Sequence, residues 1–210
     1  YDTALDFVRQ LPAVCRVFYV NGNQEGRMKE NPEIYNSAYE EYMCSLKKAG
    51  VVFLENESCT ITLNGQKLSV CGLELPVRTY RKFHKSDIDA DDISEYLGCS
   101  PETGGLAEYP AANRDGSFTI LLAHNPAYMD AYLDWGADLI LSGHLHGGLI
   151  RIPGLGGIVT PQGFLFPKYS GEMTRKGGQT VIVSRGLGSH TLNIRLFNTP
   201  ELVSITLVPE

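Results

Sequence analysis

No apolar run in this 210-residue sequence is long enough to cross a bilayer as a helix, and its first residues do not read as a signal peptide. It contains no C-x-x-C. The five cysteines (Cys15, Cys44, Cys59, Cys71 and Cys99) are odd in number and scattered. That excludes a zinc knuckle or dithiol redox motif and leaves them to be read as small buried hydrophobes. Basic residues are not in excess either: the net charge of −6 argues against a nucleic-acid surface or an anionic membrane surface. An initiator Met is also missing. The chain opens YDTALDFVRQL, already inside an amphipathic helical pattern, so it is expected to be N-terminally incomplete. Contact with a membrane would then come through an upstream anchor, and the compartment stays open. With 43% hydrophobic and 20% charged residues, the rest reads as one globular domain over residues 1–210.

Periodicity and turn chemistry predict the elements. A helix is expected from Asp2 to Leu11, with Ala4, Leu5, Val8 and Leu11 at helical spacing, and a short β-rich run over CRVFYV. Asn31-Pro32 opens a helix expected to run through Lys48 to a Gly50 cap. VVFL reads as a strand, and CTITL-NG-QKLSVCGL as a hairpin, since Asn-Gly favours a type I′ turn. Residues Leu75 to Arg114 are polar and irregular apart from a short helix at Asp89 to Leu97. FTILLA and DLILS are buried strands separated by a helix that starts at Pro126 and closes at Gly136. An irregular Gly- and Pro-rich stretch follows, and then two strands, TVIVS and LVSITLV. The order predicts a layered α/β domain.

Histidine is scarce, five in all, yet two stand one residue apart in LILS-Gly143-His144-Leu145-His146-Gly147-Gly148. Two other apolar runs also end in polar groups: VFYV leads to Asn21-Gly22-Asn23-Gln24-Glu25, and TILLA to His124-Asn125-Pro126. Loops that leave the carboxyl ends of neighbouring strands converge in α/β sheets, so these groups are expected in one crevice. Neutral imidazoles and an amide oxygen suit Zn, Mn or Fe. Residues i and i+2 point to opposite sides of an extended strand, so Gly143, Gly147 and Gly148 are expected to bend the loop until both rings face neighbouring ions.

The combination resembles the calcineurin-like metallophosphoesterase family, whose motifs run D-x-H, G-D-x-x-D, G-N-H-[DE], a histidine after a strand, and G-H-x-H. This chain carries counterparts of the last three, in Gly22-Asn23-Gln24-Glu25, His124 and Gly143-His144-Leu145-His146. Phe166-Pro-Lys-Tyr-Ser170 and Ser184-Arg-Gly-Leu-Gly188, with Ile194-Arg195 and Pro200-Glu201 after them, look like the bacterial phosphodiesterase-like branch. The resemblance implies a sandwich of two mixed β-sheets flanked by helices, here lacking the first strands. It also implies a binuclear mechanism with two divalent ions acting on a phosphoester, a phosphodiester by the likeness to that branch. Asn23, His124 and His144 would serve one metal and His146 the other.

The chain departs from the family in two ways. D-x-H and G-D-x-x-D are absent, so occupancy by metal is expected to be partial or nil. Gln24 stands where the family has its general-acid histidine, and an amide cannot deliver a proton near neutral pH. The expected function is therefore a metal-dependent phosphoester hydrolase impaired in this chain; the alternative is a catalytically degenerate phosphoester- or metal-binding module. Around the ligands, Glu25 either orients the Asn23 loop or is solvated, and Arg185 contacts phosphate or serves an ion pair. Asp138 opens its strand away from the ligand end, His84 is an exposed loop residue, and His190, in the GLGSH loop, either lines the crevice or has no part in it, with no metal role required of it.

Overall fold

The computed structural model describes residues 2–98, 117–148, 150–152, 154–188 and 195–208. Cys99 and His190 lie outside these residues. The helices are α1 (Asp2–Val8), α2 (Asn23–Glu30), α3 (Pro32–Tyr35), α4 (Ala38–Ala49), α5 (Ala90–Tyr96) and α6 (Met129–Trp135). The strands are β1 (Phe18–Tyr19), β2 (Val52–Phe53), β3 (Glu57–Leu63), β4 (Gln66–Leu73), β5 (Phe118–Ala123), β6 (Leu139–Ser142), β7 (Arg151–Ile152), β8 (Gly156–Gly157), β9 (Met173–Lys176) and β10 (Gln179–Val183).

Six strands form one mixed sheet in the order β3-β4-β5-β6-β10-β9. Its centre, β4-β5-β6-β10, is parallel, and the two edge strands run antiparallel to it. The β3–β4 hairpin turns at Asn64 and Gly65, both with positive φ (51° and 82°), which is the type I′ geometry that the Asn-Gly pair predicts. From Leu68 onward every residue of β4 is buried, as expected of a strand covered on both faces. Helices α5 and α6 share one core with this sheet through Ile93, Met129, Tyr132, Cys71, Leu121 and Val181.

The other face of β4 meets a parallel pair, β1–β2. Contact is closest at Gly72, where a Cβ would lie 2.3 Å from the Leu54 Cβ and 2.7 Å from the Val20 Cγ1. Beyond the pair, α4 buries Tyr39, Tyr42, Met43 and Leu46, a period-3.6 stripe, in a second core that Met28 of α2 joins. The mixed sheet with helices on its flanks is the expected α/β architecture. Among the described residues its second layer is the two-stranded β1–β2 sheet.

Several local expectations are corrected. The helix expected from Asn31 to Lys48 breaks at Asn36, whose φ of 52° ends α3 after one turn; asparagine tolerates this left-handed conformation better than most residues. Asn23 to Glu30, where no element was expected, is a helix, and Glu25 closes its first turn on the Gly22 N–H. LVSITLV forms no strand: residues 202–208 have no ladder partner among the described residues, and a β pattern without a partner does not make a sheet. The Gly- and Pro-rich stretch instead holds β7, β8 and β9. Cys71 is buried, but Cys15 and Cys44 are exposed, contrary to the buried reading.

Candidate metal centre

Every parallel strand here delivers its C-terminal loop to the same side of the molecule, and those loops carry the site. Asn23 opens α2, two residues beyond Asn21; His124 follows β5; Gly143 and His144 follow β6. The Asn23 Oδ1 lies 3.2 Å from the His124 Nε2 and 3.0 Å from the His144 Nδ1. The two rings meet edge-on at 5.3 Å, and Tyr80 packs against both, 5.0 Å from His144 and 6.2 Å from His124. Burial holds His124 well below the usual imidazole range, with nearby His146 adding to the effect, to a pKa of about 4. His124 is therefore neutral at physiological pH.

Two backbone features make this approach possible. Gly22 leaves room for the His124 ring: a Cβ there would lie 2.9 Å from both Cε1 and Nε2. In the H-x-H loop the bend falls on the histidines as well as on the glycines. His144 and His146 have φ of 61° and 49°, while Gly143 is not in the left-handed region, which corrects its expected role. Such left-handed non-glycine residues cost about 1–3 kcal/mol each and persist where their surroundings enforce them. Here Asn198 does so by donating its side-chain amide to the carbonyls of His146 (2.5 Å) and Gly148 (2.8 Å).

The His146 Nδ1 lies 2.9 Å from the Gly188 carbonyl. That carbonyl can only accept, so the Nδ1 carries a proton. Gln24 is exposed on the first turn of α2. Glu25 accepts from the Gly22 N–H (3.0 Å) and the Tyr19 hydroxyl (3.1 Å), so it braces the loop that carries Asn23. The guanidinium of Arg185 is ion-paired with Glu201, and its stem lies against Gly147. Asp138 accepts from the Thr119 N–H (2.7 Å) at the opposite end of the sheet. His84 is exposed.

A neighbouring polar network escaped the sequence reading. Asn21, 1% exposed, donates to Tyr39 (2.7 Å) and Glu55 (2.9 Å), and Lys29 donates to Glu55 and Glu74, each at 3.0 Å. Burial alone would raise the Glu55 pKa, but hydrogen bonds from Tyr39, Lys29 and Asn21 bring it below the usual carboxylate value. Glu55 and Glu74 follow β2 and β4, so the rule that singled out His124 applies to them too.

The spacing of Asn23 from each ring nitrogen is that of a hydrogen bond and also that of two ligands sharing one divalent ion. Two ligands each about 2.1 Å from one metal stand roughly 3.0–3.4 Å apart, and Asn23 lies 3.2 and 3.0 Å from the two histidine nitrogens. Among the described residues no three His, Cys, Asp or Glu side chains gather to hold a metal. The set is completed only by an amide and carries no negative charge. None of the described helices is long and apolar enough to cross a membrane.

No family model matches the chain, and no solved structure resembles it closely enough to be matched. Among curated proteins it is 39% identical over 94 residues to the uncharacterized metallophosphoesterase YkuE of Bacillus subtilis, covering 44% of this chain and 32% of that protein. It is 31% identical over 114 residues to the phosphodiesterase YaeI of Escherichia coli, covering 54% and 41% respectively. Against the putative metallophosphoesterase F40B5.2 of Caenorhabditis elegans the identity is 28% over 203 residues, 94% of this chain but 36% of the relative. The chain thus spans about a third to two fifths of the length of these relatives.

Proposed function

We propose that the chain, which is similar to a metallophosphoesterase and a phosphodiesterase, forms the C-terminal-loop side of a metal-dependent phosphodiester hydrolase site of the calcineurin-like kind. The observation that carries this reading is the convergence of Asn23, His124 and His144 on one point. In it, these three residues hold one divalent ion and His146 serves a second. A bound ion would supply positive charge to the phosphoryl oxygens. The protein's own part is positional. Glu25 and Gly22 set Asn23, the neutral His124 offers its lone pair, and Tyr80 keeps both rings from turning. Gln24, beside Asn23, donates a hydrogen bond to the phosphoryl group and leaves a poor leaving group unprotonated.

A second reading, a module that binds without turnover, is favoured by Gln24 and by the lack of carboxylates among the ligands. Gln24→His separates the two. On an alkyl phosphodiester, whose alkoxide needs a proton as it leaves, a restored general acid should raise turnover by about 10²–10⁴-fold. On a nitrophenyl diester the gain should be smaller. An equal gain on both substrates would make position 24 purely electrostatic; no gain on either would favour the binding module.

A further inference from the structure

The net charge of −6 is unevenly distributed. Arg81, Lys82, Phe83, His84 and Lys85 are consecutive and all exposed. Phe83 is 78% exposed at a left-handed φ of 55°, so its ring is turned towards solvent in the middle of four basic residues. The segment is not loose. The Phe83 N–H donates to the Gln162 carbonyl at 2.8 Å, and the ring lies 2.4 Å from where a Cβ on Gly163 would be. Only glycine, here at φ 90°, lets the 160–164 turn sit against it.

Just past that turn, Leu165 and Phe166 are 64% and 60% exposed. The Phe166 N–H donates to the Ile158 carbonyl at 2.7 Å, which links them to the β7–β8 hairpin, where Leu155 also projects into solvent. Behind lies a cavity of about 220 Å³ walled by Pro126, Met129, Leu145, Phe164 and Tyr169, with Lys85 and Lys168 in its lining. The acidic neighbours are engaged in part: Asp130 pairs with Lys168 (3.5 Å), Asp89 caps α5 with Asp91 and Asp92 in its first turn, and Asp87 is exposed.

We propose that residues 81–85 together with the 155–168 turns form a docking surface for an anionic lipid bilayer. Phe83, Leu165 and Phe166 enter the headgroup region while Arg81, Lys82 and Lys85 meet the lipid phosphates. Two observations favour a bilayer over a folded protein. The apolar side chains project from turn tips and do not line a groove, and Phe83 alternates with cations on both sides in its own segment. Hydrocarbon beneath a layer of phosphate matches that alternation, and the apolar cavity offers room for part of an acyl chain.

Co-sedimentation of the chain with phosphatidylcholine vesicles, with and without phosphatidylglycerol, tests the surface. Binding is expected only to the anionic vesicles and should fall as salt rises. Replacing Lys82 and Lys85 by Ala should weaken it roughly fivefold per charge, and Phe83→Ser or Phe166→Ser by roughly tenfold or more. All four side chains are exposed, so circular dichroism should be unchanged; were a Phe variant to misfold, the lysine pair and the salt series decide alone. Three results overturn the proposal: equal binding to neutral vesicles, no binding to either, and competition by free glycerol phosphate at low millimolar concentration. Self-association of the wild type that the same variants abolish would assign the surface to a second copy of the chain and also overturn it.

Discussion

His144 and His146 leave the same loop with the same left-handed backbone, yet they end in opposite situations. His144 is buried, 3.0 Å from Asn23 and packed under Tyr80. His146 is tied through Nδ1 to a backbone carbonyl of the 184–188 loop. One histidine belongs to a cluster assembled from three separate strand ends; the other is directed at a backbone carbonyl of a neighbouring loop. On the proposed reading the two rings would serve different ions, and the motif G-H-x-H by itself does not say which ring joins Asn23.

Calorimetric titration with Mn²⁺ should break this comparison most sharply. His144→Ala should weaken binding by about 10²-fold or more, because it removes one of three converging donors, whereas His146→Ala should change it only a few-fold. Equal losses would mean that both halves bind alike, and unchanged affinity in His144→Ala would remove the assignment of the cluster. Gly22→Ala comes next. Its methyl would press on the His124 ring, so the expected result is an affinity loss of about tenfold and a destabilisation of about 1–3 kcal/mol in urea melts. Wild-type affinity in this variant would show that His124 need not sit where it does.

A third effect is a pH dependence carried by His124. His124 titrates near pH 4 in the folded protein against 6.5 when unfolded, so the unfolded chain takes up its proton first as pH falls. Its contribution is complete above about pH 6.5 and is lost as pH drops towards 4, in total about 3 kcal/mol at most. Urea melts at pH 7, 5 and 4 should show wild type losing stability more steeply than His124→Asn. The same slope in both proteins would place the ring in a more solvated setting than the structure gives it.

Much of the frame was readable in advance. The Asn64-Gly65 hairpin, the Asp89 cap, the Gly50 and Gly136 stops and the strand before each ligand all rest on local chemistry, and they appear where that chemistry puts them. The rule that loops converge at strand ends also brought Asn23, His124 and His144 to one place. What escaped was non-local. Nothing around Asn21 or Lys29 announces that they meet Glu55 and Glu74, since those partners are separated by 26 to 53 residues. The same limit explains LVSITLV: its pattern is that of a strand, but a strand is completed by a neighbour that the pattern does not name.

Gly72 sits far from the candidate ligands in the chain, in the middle of the closest contact between the two β layers. The side chains it admits, Val20 and Leu54, are the last residues before Asn21 and Glu55. The missing methyl is therefore a gauge block: the thickness of that one contact sets how high the Asn23 turn rides over the histidines. A side chain at position 72 would act like a shim, lifting one lip of the crevice while leaving every ligand in place in the sequence.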